Sequence, residues 1–234
     1  MFLLYFKSEG VADSLDFIQV YFQEEQKNEL YDFATPYFNE HLTRYFENAI
    51  IADLVPKCNA DLIGVASWRL RKKRGDCVYP LKNNLTLTAE KIINSAADVA
   101  ILTPRSPIHK PLLAAVNWHG KAWVEAFHVF KGFLRSLGIT VPDELRYAIY
   151  ENHFVARREV YHDYVRILKL SIQFMEDEAI FLTPSGYNEK KRNPKDAKRI
   201  KELLGLSDYP IGVFILERLF SIYINDKNLN VKPV

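Results

Sequence analysis

Apolar side chains recur at three- and four-residue spacing along several stretches, which is the pattern of a helix with one buried face. The clearest stripe includes Trp123, Phe130 and Leu134, and Gly138 follows it as a helix stop. Thr88 offers an N-cap for an earlier helix, and the last helix is apolar nearly all round, so it should be buried. The predicted helices cover residues 37–55, 88–97, 121–137, 161–175 and 213–224.

Short apolar runs between these stretches predict strands. Residues 60–68 form a nearly continuous apolar run, typical of a strand covered on both faces, whereas residues 12–34 fit either a helix or a strand with a loop. Strands alternating with helices indicate an α/β sandwich with a mainly parallel or mixed central sheet, and no linker divides the chain, so residues 1–234 are expected to form one domain. The predicted strands cover residues 2–6, 60–68, 98–102, 147–156 and 179–182.

Composition excludes several classes of protein. An apolar content of 48% excludes a disordered chain, and a net charge of +2 provides no field that would draw the chain to nucleic acid or to a membrane. No apolar run approaches the roughly 18 residues of a transmembrane segment, and the apolar start at residues 2–6 is too short for a signal peptide. We therefore expect a soluble, cytoplasmic protein in which Cys58 and Cys77 are reduced.

Polar residues at the ends of two predicted strands are candidates for ligand binding, because open α/β sheets bind ligands at such ends. Ser67 and Arg69 lie at the end of the strand at 60–68, and Arg105 follows the strand at 98–102. An arginine in this position suits bidentate contact with phosphate, although residues 69–74 also fit a solvated basic loop. Asp98 opens its strand, so a capping or structural role and a catalytic role are both open.

The apolar helix at 213–224 contains two adjacent charged residues, Glu217 and Arg218. Neighbouring helix positions point to different faces, so we expect the two side chains not to pair with each other. A buried charge without a partner costs several kcal/mol. Each should therefore form a structural salt bridge elsewhere or line a ligand site.

Other catalytic patterns are sparse. Asn152 and its neighbours Glu151 and His153 fit either a general base or the outer face of a strand. The sequence contains no H-E-x-x-H, no D-x-D and no histidine cluster, so no metal ligand is predicted. Glu176 and Glu178 fit a solvated turn or, with a diphosphate, a shared divalent cation.

Five segments, taken in order, resemble a family of bacterial glycosyltransferases encoded among capsular and lipopolysaccharide biosynthesis genes, many of them described only as a domain of unknown function. The family shows an Asn-Glu before an aromatic-rich helix, a strand that ends in His-Tyr-Arg-Arg, two further strand motifs and a closing Glu-Arg-Leu helix. In place of His-Tyr-Arg-Arg this chain has Ser67-Trp68-Arg69-Leu70 and thus no histidine. The matching segments are residues 37–46, 61–69, 98–102, 152–164 and 214–220.

The resemblance implies a glycosyltransferase-A-like three-layer sandwich. The expected reaction is sugar transfer from a nucleotide-sugar donor to a glycan or lipid-linked glycan acceptor of a surface polysaccharide, at the cytoplasmic face of the membrane. An altered relative that binds a nucleotide or glycan without turnover is the alternative. The missing D-x-D leaves open whether Mn²⁺ or Mg²⁺ takes part. The implied donor-binding residues are Asn39, Glu40, Ser67, Arg69, Asn152 and Arg218, and the implied catalytic residues are Asp98 and Glu217.

Overall fold

A computed structural model describes most of the chain. The described residues are 2–7, 16–21, 35–38, 45–67, 90, 92, 94–101, 110–111, 121–149, 154–185, 198, 200–202 and 204–233. They fall into two compact units that interleave along the sequence. The first unit comprises Met1–Arg105, Ile149–Val165 and Leu229–Val234, and the second comprises Ser106–Ala148 and Arg166–Asn228.

Thirteen helices and strands are defined in the described residues. A 3₁₀ turn, Val55–Lys57, follows the first helix. In chain order the elements are β1 (Phe2–Lys7), β2 (Asp16–Tyr21), β3 (Thr35–Phe38), α1 (Glu47–Asp53), β4 (Leu62–Ser67), β5 (Val99–Ile101), β6 (Lys110–Pro111), α2 (Lys121–Ser136), β7 (Glu144–Leu145), β8 (Phe154–Arg157), α3 (Arg158–Asp177), α4 (Ile211–Asp226) and β9 (Val231–Pro233).

Seven strands of the first unit form one open sheet in the order β3-β2-β1-β4-β8-β5-β9. The four inner pairs of this described sheet are antiparallel, and the two outermost pairs, β2 with β3 and β5 with β9, are parallel. The α/β class and the mixed sheet are thus confirmed, whereas a mainly parallel sheet is not found. Continuous apolar runs indicated burial of both faces, which is correct for Leu62, Ile63 and Val65, but burial does not determine strand direction.

The helices with the strongest periodicity are confirmed. The predicted helix at 121–137 is α2, and Gly138 follows it with a φ of 77°, the left-handed conformation that favours glycine at a helix C-terminus. The helix predicted at 161–175 is α3, and the one at 213–224 is α4. Gly212 packs α4 closely against the preceding turn, because a Cβ there would lie 2.8 Å from Cγ of Phe181.

Three predicted elements differ from the structure. The helix at 37–55 begins only at Glu47, because Thr35–Phe38 pairs in parallel with β2 and long-range pairing overrides local periodicity. The strand at 147–156 is a strand only from Phe154 onward among its described residues. Residues 179–182 form a turn instead of a strand, in which the Thr183 amide donates to the Ile180 carbonyl at 3.1 Å.

Candidate functional site

One end of the seven-stranded sheet collects the termini of several strands. Ser67 at the end of β4 pairs with Phe2, and Phe154 at the start of β8 pairs with both Val65 and Ile101. On the other side of β1, Val20 pairs with Phe2, and β3 ends one position further along, where Tyr21 pairs with Phe38. We call this end of the sheet, marked by Phe38, Ser67, Ile101 and Phe154, the Ser67 end.

Most of the predicted donor-binding residues adjoin the Ser67 end in sequence. Asn39 and Glu40 directly follow Phe38, Arg69 comes two residues after Ser67, and Asn152 comes two residues before Phe154. These four residues, and the side chain of Ser67, lie outside the described part of the structure. Neighbouring strands lie about 4.8 Å apart, so the end of β3 is roughly 14 Å from the end of β4. β8 is the immediate neighbour of β4.

Asp98 lies at the opposite end of the same sheet. Its carbonyl accepts a hydrogen bond from the Arg157 amide at 3.0 Å, and Arg157 pairs with Leu62 at the start of β4. Leu62 and Ser67 are five residue steps apart along β4, which corresponds to roughly 17 Å. The structure therefore does not bring Asp98 and Ser67 together.

The carboxylate of Asp98 is engaged in holding the sheet. Its Oδ2 accepts a hydrogen bond from the Asn230 amide at 2.8 Å, and its own amide donates to the Asn230 carbonyl at 2.9 Å. These bonds join the start of β5 to the residue that precedes β9. Of the two roles that the sequence left open for Asp98, this geometry favours the structural one.

Two arginines that sequence reasoning did not single out lie at this same end. The Arg157 guanidinium donates to the carbonyls of Ile92, Ser95 and Ala97 at 3.2 to 3.4 Å, which satisfies the end of a helical turn. Arg158 donates to Asn59 Oδ1 at 2.6 Å. Their contacts are structural, and their adjacency at the junction of β8 and α3 is the sequence signal that could have identified them.

Glu217 and Arg218 pair with each other on α4, contrary to the prediction. Arg218 Nη1 lies 2.9 Å from Glu217 Oε2, and their side chains are only 9% and 16% exposed. Positions 100° apart on a helix can still pair when both side chains are long enough to bend toward each other. The pair belongs to the second unit and Ser67 to the first, and Arg69 lies outside the described residues, so the convergence of all these residues on one site stays a prediction.

Buried polar residues on α1 were also missed by the sequence reasoning. Glu47 is 6% exposed and Asn48 is fully buried at the start of this helix. The sequence contains a signal for this burial, because Glu47 and Asn48 stand between the apolar residues Phe46 and Ala49, as Glu217 stands in an apolar helix. Their burial alone does not assign them a ligand.

The described residues contain no group of three His, Cys, Asp or Glu side chains arranged to hold a metal ion. Glu178 is exposed in the turn after α3, consistent with the solvated turn that the sequence allowed. Cys58 is a free thiol whose Sγ lies 3.6 Å from the Leu54 carbonyl, and burial raises its pKa. None of the helices in the described residues is long and apolar enough to cross a membrane.

Comparisons with known proteins do not assign a function to these residues. No protein-family model, no curated protein and no solved structure matches the chain. The resemblance to the polysaccharide glycosyltransferases therefore stays a prediction, carried by the five sequence segments.

Proposed function

We propose that the protein is a glycosyltransferase that moves a sugar from a nucleotide-sugar donor to a capsular or lipopolysaccharide acceptor. The observation that supports this proposal best is the position of three of the five family-like segments. They contain β4, β5 and β8, which are adjacent at the middle of one sheet in the order β4-β8-β5. β4 ends at Ser67 and β8 begins at Phe154, so segments far apart in sequence contribute neighbouring strands to the middle of the sheet.

The chemistry of the proposed reaction needs positive charge at the leaving diphosphate and a base at the acceptor hydroxyl. Arg69 is the first candidate for the diphosphate, because it follows the Ser67 end of β4 and a guanidinium can bind phosphate through two hydrogen bonds. Asn39, Glu40, Ser67 and Asn152 adjoin the same end and are proposed to contact the donor.

The pair on α4 supplies the remaining candidates. Within the second unit, Arg218 is proposed as a cation that binds a phosphate group, with one guanidinium nitrogen already held by Glu217 at 2.9 Å. Glu217 is proposed as the base, since Asp98 is engaged with Asn230 at the other end of the sheet. A glycan or lipid-linked glycan acceptor would place the reaction at the cytoplasmic face of the membrane.

A second candidate function is binding without turnover. It is favoured by Ser67-Trp68-Arg69-Leu70, which lacks the histidine that the resembling family has there. In that case the protein would bind a nucleotide or a glycan during polysaccharide assembly.

A thermal-stability screen tests the proposal. Uridine, guanosine and cytidine diphosphates and their sugars are added with and without Mn²⁺ or Mg²⁺. A specific ligand at a hundredfold excess over its Kd stabilises a protein by about 2.7 kcal/mol, which raises the melting temperature by roughly 5–11 °C for a chain of this size. A flat response to every nucleotide would contradict the proposal.

Product analysis on the stabilising donor then separates the two candidates. Release of the nucleoside diphosphate, with or without an added acceptor, supports the transferase. Tight donor binding with no release over hours supports the binding protein.

A further inference from the structure

The outer face of α2 carries one acidic and one basic side chain, which stand near its opposite ends. Among residues 123–136, whose burial is described, six positions are exposed. They carry an acidic residue near the N-terminal end and a basic residue near the C-terminal end, and the other four are small, apolar or weakly polar. The six positions are Glu125, His128, Val129, Gly132, Arg135 and Ser136.

An apolar patch borders this face. Val129 is 48% exposed and stands one helical turn before Phe133, whose ring stacks on Phe174 of α3 with centroids 4.1 Å apart. Leu170, one turn before Phe174, is 41% exposed. We call Val129, Phe133, Leu170 and Phe174 the α2/α3 patch. Val129 and Leu170 are its two exposed members and the stacked ring pair is half-buried; exposed apolar side chains grouped in this way mark interaction sites.

Gly132 lies at the middle of the exposed face, near the α2/α3 patch. A glycine inside a helix is less favourable than alanine by about 0.5–1 kcal/mol, and a Cβ at position 132 would meet no atom of the described residues within 4 Å. Contacts among the described residues therefore do not explain the glycine. The close approach of another backbone would explain it, because a missing side chain lets two helices pack closely.

We propose that this face binds a second copy of the chain, with α2 of the two subunits antiparallel about a two-fold axis near residue 130. Such an axis sets Glu125 opposite Arg135 of the partner subunit and His128 opposite Gly132 of the partner subunit, and it repeats both contacts by symmetry. The face is thus complementary in charge to itself, and antiparallel helix dipoles are also favourable. This inference lies within the second unit and does not depend on the proposed function.

Sedimentation over a range of concentrations tests the proposal. We expect a reversible dimer for the full chain and a monomer for Val129→Lys and for Leu170→Glu. Both positions are exposed, so circular dichroism should show that the fold is kept. Leu182→Glu is the matched control, because Leu182 is 44% exposed in the same unit but lies in the turn after α3, and it should leave the dimer intact.

A charge exchange tests the register. Glu125→Arg or Arg135→Glu alone should weaken dimerisation roughly tenfold, because the two-fold axis doubles each repulsion, and the double variant should restore it. Gly132→Ala should weaken dimerisation while raising the melting temperature of the dilute monomer. Three results would overturn the proposal: a monomer at every concentration, a dimer unaffected by Val129→Lys and Leu170→Glu, or a monomer that uses the patch to bind lipid vesicles.

Discussion

Arg218 and Glu217 neutralise each other inside α4, where twelve of the sixteen residues are buried. Arg218 also has further contacts, so its charge is held by more than one group. Two charges removed from water in this way are sensitive to the loss of either one, because the remaining charge is left in an apolar surrounding.

Arg218→Met should lower the free energy of unfolding by about 3–5 kcal/mol, since it leaves the Glu217 carboxylate buried without its cation. The double variant Glu217→Gln/Arg218→Met should recover most of this loss, because a buried pair replaced as a whole is often nearly neutral. Urea denaturation measures both values. A loss below about 1 kcal/mol for the single variant would contradict a structural role for the pair.

Asp98 offers a test of structural against catalytic chemistry at a single residue. Asp98→Asn keeps a side-chain oxygen that can accept the Asn230 amide, whose distance to Asp98 Oδ2 is 2.8 Å, so stability should change by less than about 0.5 kcal/mol and donor turnover should persist. Asp98→Leu removes the acceptor and should cost about 1–2 kcal/mol. Loss of turnover in a stably folded Asp98→Asn protein would instead identify Asp98 as the base.

At the scale of elements, Asn225 fixes the end of α4 to the segment around β7. Its Oδ1 accepts from the amides of Arg146 and Tyr147 at 2.8 and 3.3 Å, and its Nδ2 donates to the carbonyls of Tyr147 and Ser221 at 2.8 and 2.6 Å. One side chain thus binds the backbone of Arg146 and Tyr147, which lie outside the helices and strands, as well as the Ser221 carbonyl within α4.

Asn225→Ala should destabilise the chain by about 2–4 kcal/mol, because it removes four hydrogen bonds to the backbone. Hydrogen exchange at the amides of residues 146 and 147 should accelerate in the same variant. Lys227→Ala, in the exposed turn after α4, should change stability by no more than about 0.5 kcal/mol. Equal losses of stability in the two variants would contradict the conclusion that Asn225 fixes the end of α4.

The elements that the sequence predicted correctly are those whose burial pattern is local. Local apolar patterns predict which faces are buried in α2, α3 and β4, and the structure confirms these predictions. The helix predicted at 37–55 was wrong over Tyr37 and Phe38 because their pairing partner, β2, lies about 20 residues away. Strand direction, decided by such distant pairings, could not be predicted from local pattern.

The candidate site was predictable to a smaller extent. Adjacent charges in an apolar helix correctly indicated that Glu217 and Arg218 are buried or nearly so. Whether neighbouring side chains pair depends on their rotamers, which the spacing along the sequence does not determine. The position of Asp98 at the start of its strand correctly left a structural role open. Its partner, Asn230, is 132 residues away, so only the fold could reveal that contact.

At the scale of the whole molecule, the two compact units are each built from separate parts of the chain. The first unit needs residues from the start, the middle and the end of the sequence, since β9 pairs with β5. A substitution in β9, the last strand of the chain, should therefore lower the stability of the same unit that contains β1, which begins at Phe2.

Val231→Asp tests this dependence. Val231 is 5% exposed in β9, and a buried carboxylate without a cation should lower the free energy of unfolding by about 3 kcal/mol or more. Lys232→Asp is the control on the opposite face of the same strand, where the side chain is exposed, and it should have little effect. Amide hydrogen exchange in β5 should accelerate in the Val231→Asp variant but not in the Lys232→Asp variant. Unchanged exchange in β5 in the Val231→Asp variant would contradict the conclusion that β9 stabilises the first unit.

The most direct test of the proposed function is calorimetric titration of the full chain with the nucleotide sugar that stabilises it best. We predict saturable binding that Arg69→Gln weakens at least roughly tenfold, the effect of losing a charge-assisted contact to phosphate, and that Arg74→Gln in the same basic stretch leaves unchanged. The absence of binding heat for every nucleotide, or equal affinities of the two variants, would contradict donor binding by Arg69 beyond the Ser67 end of the sheet.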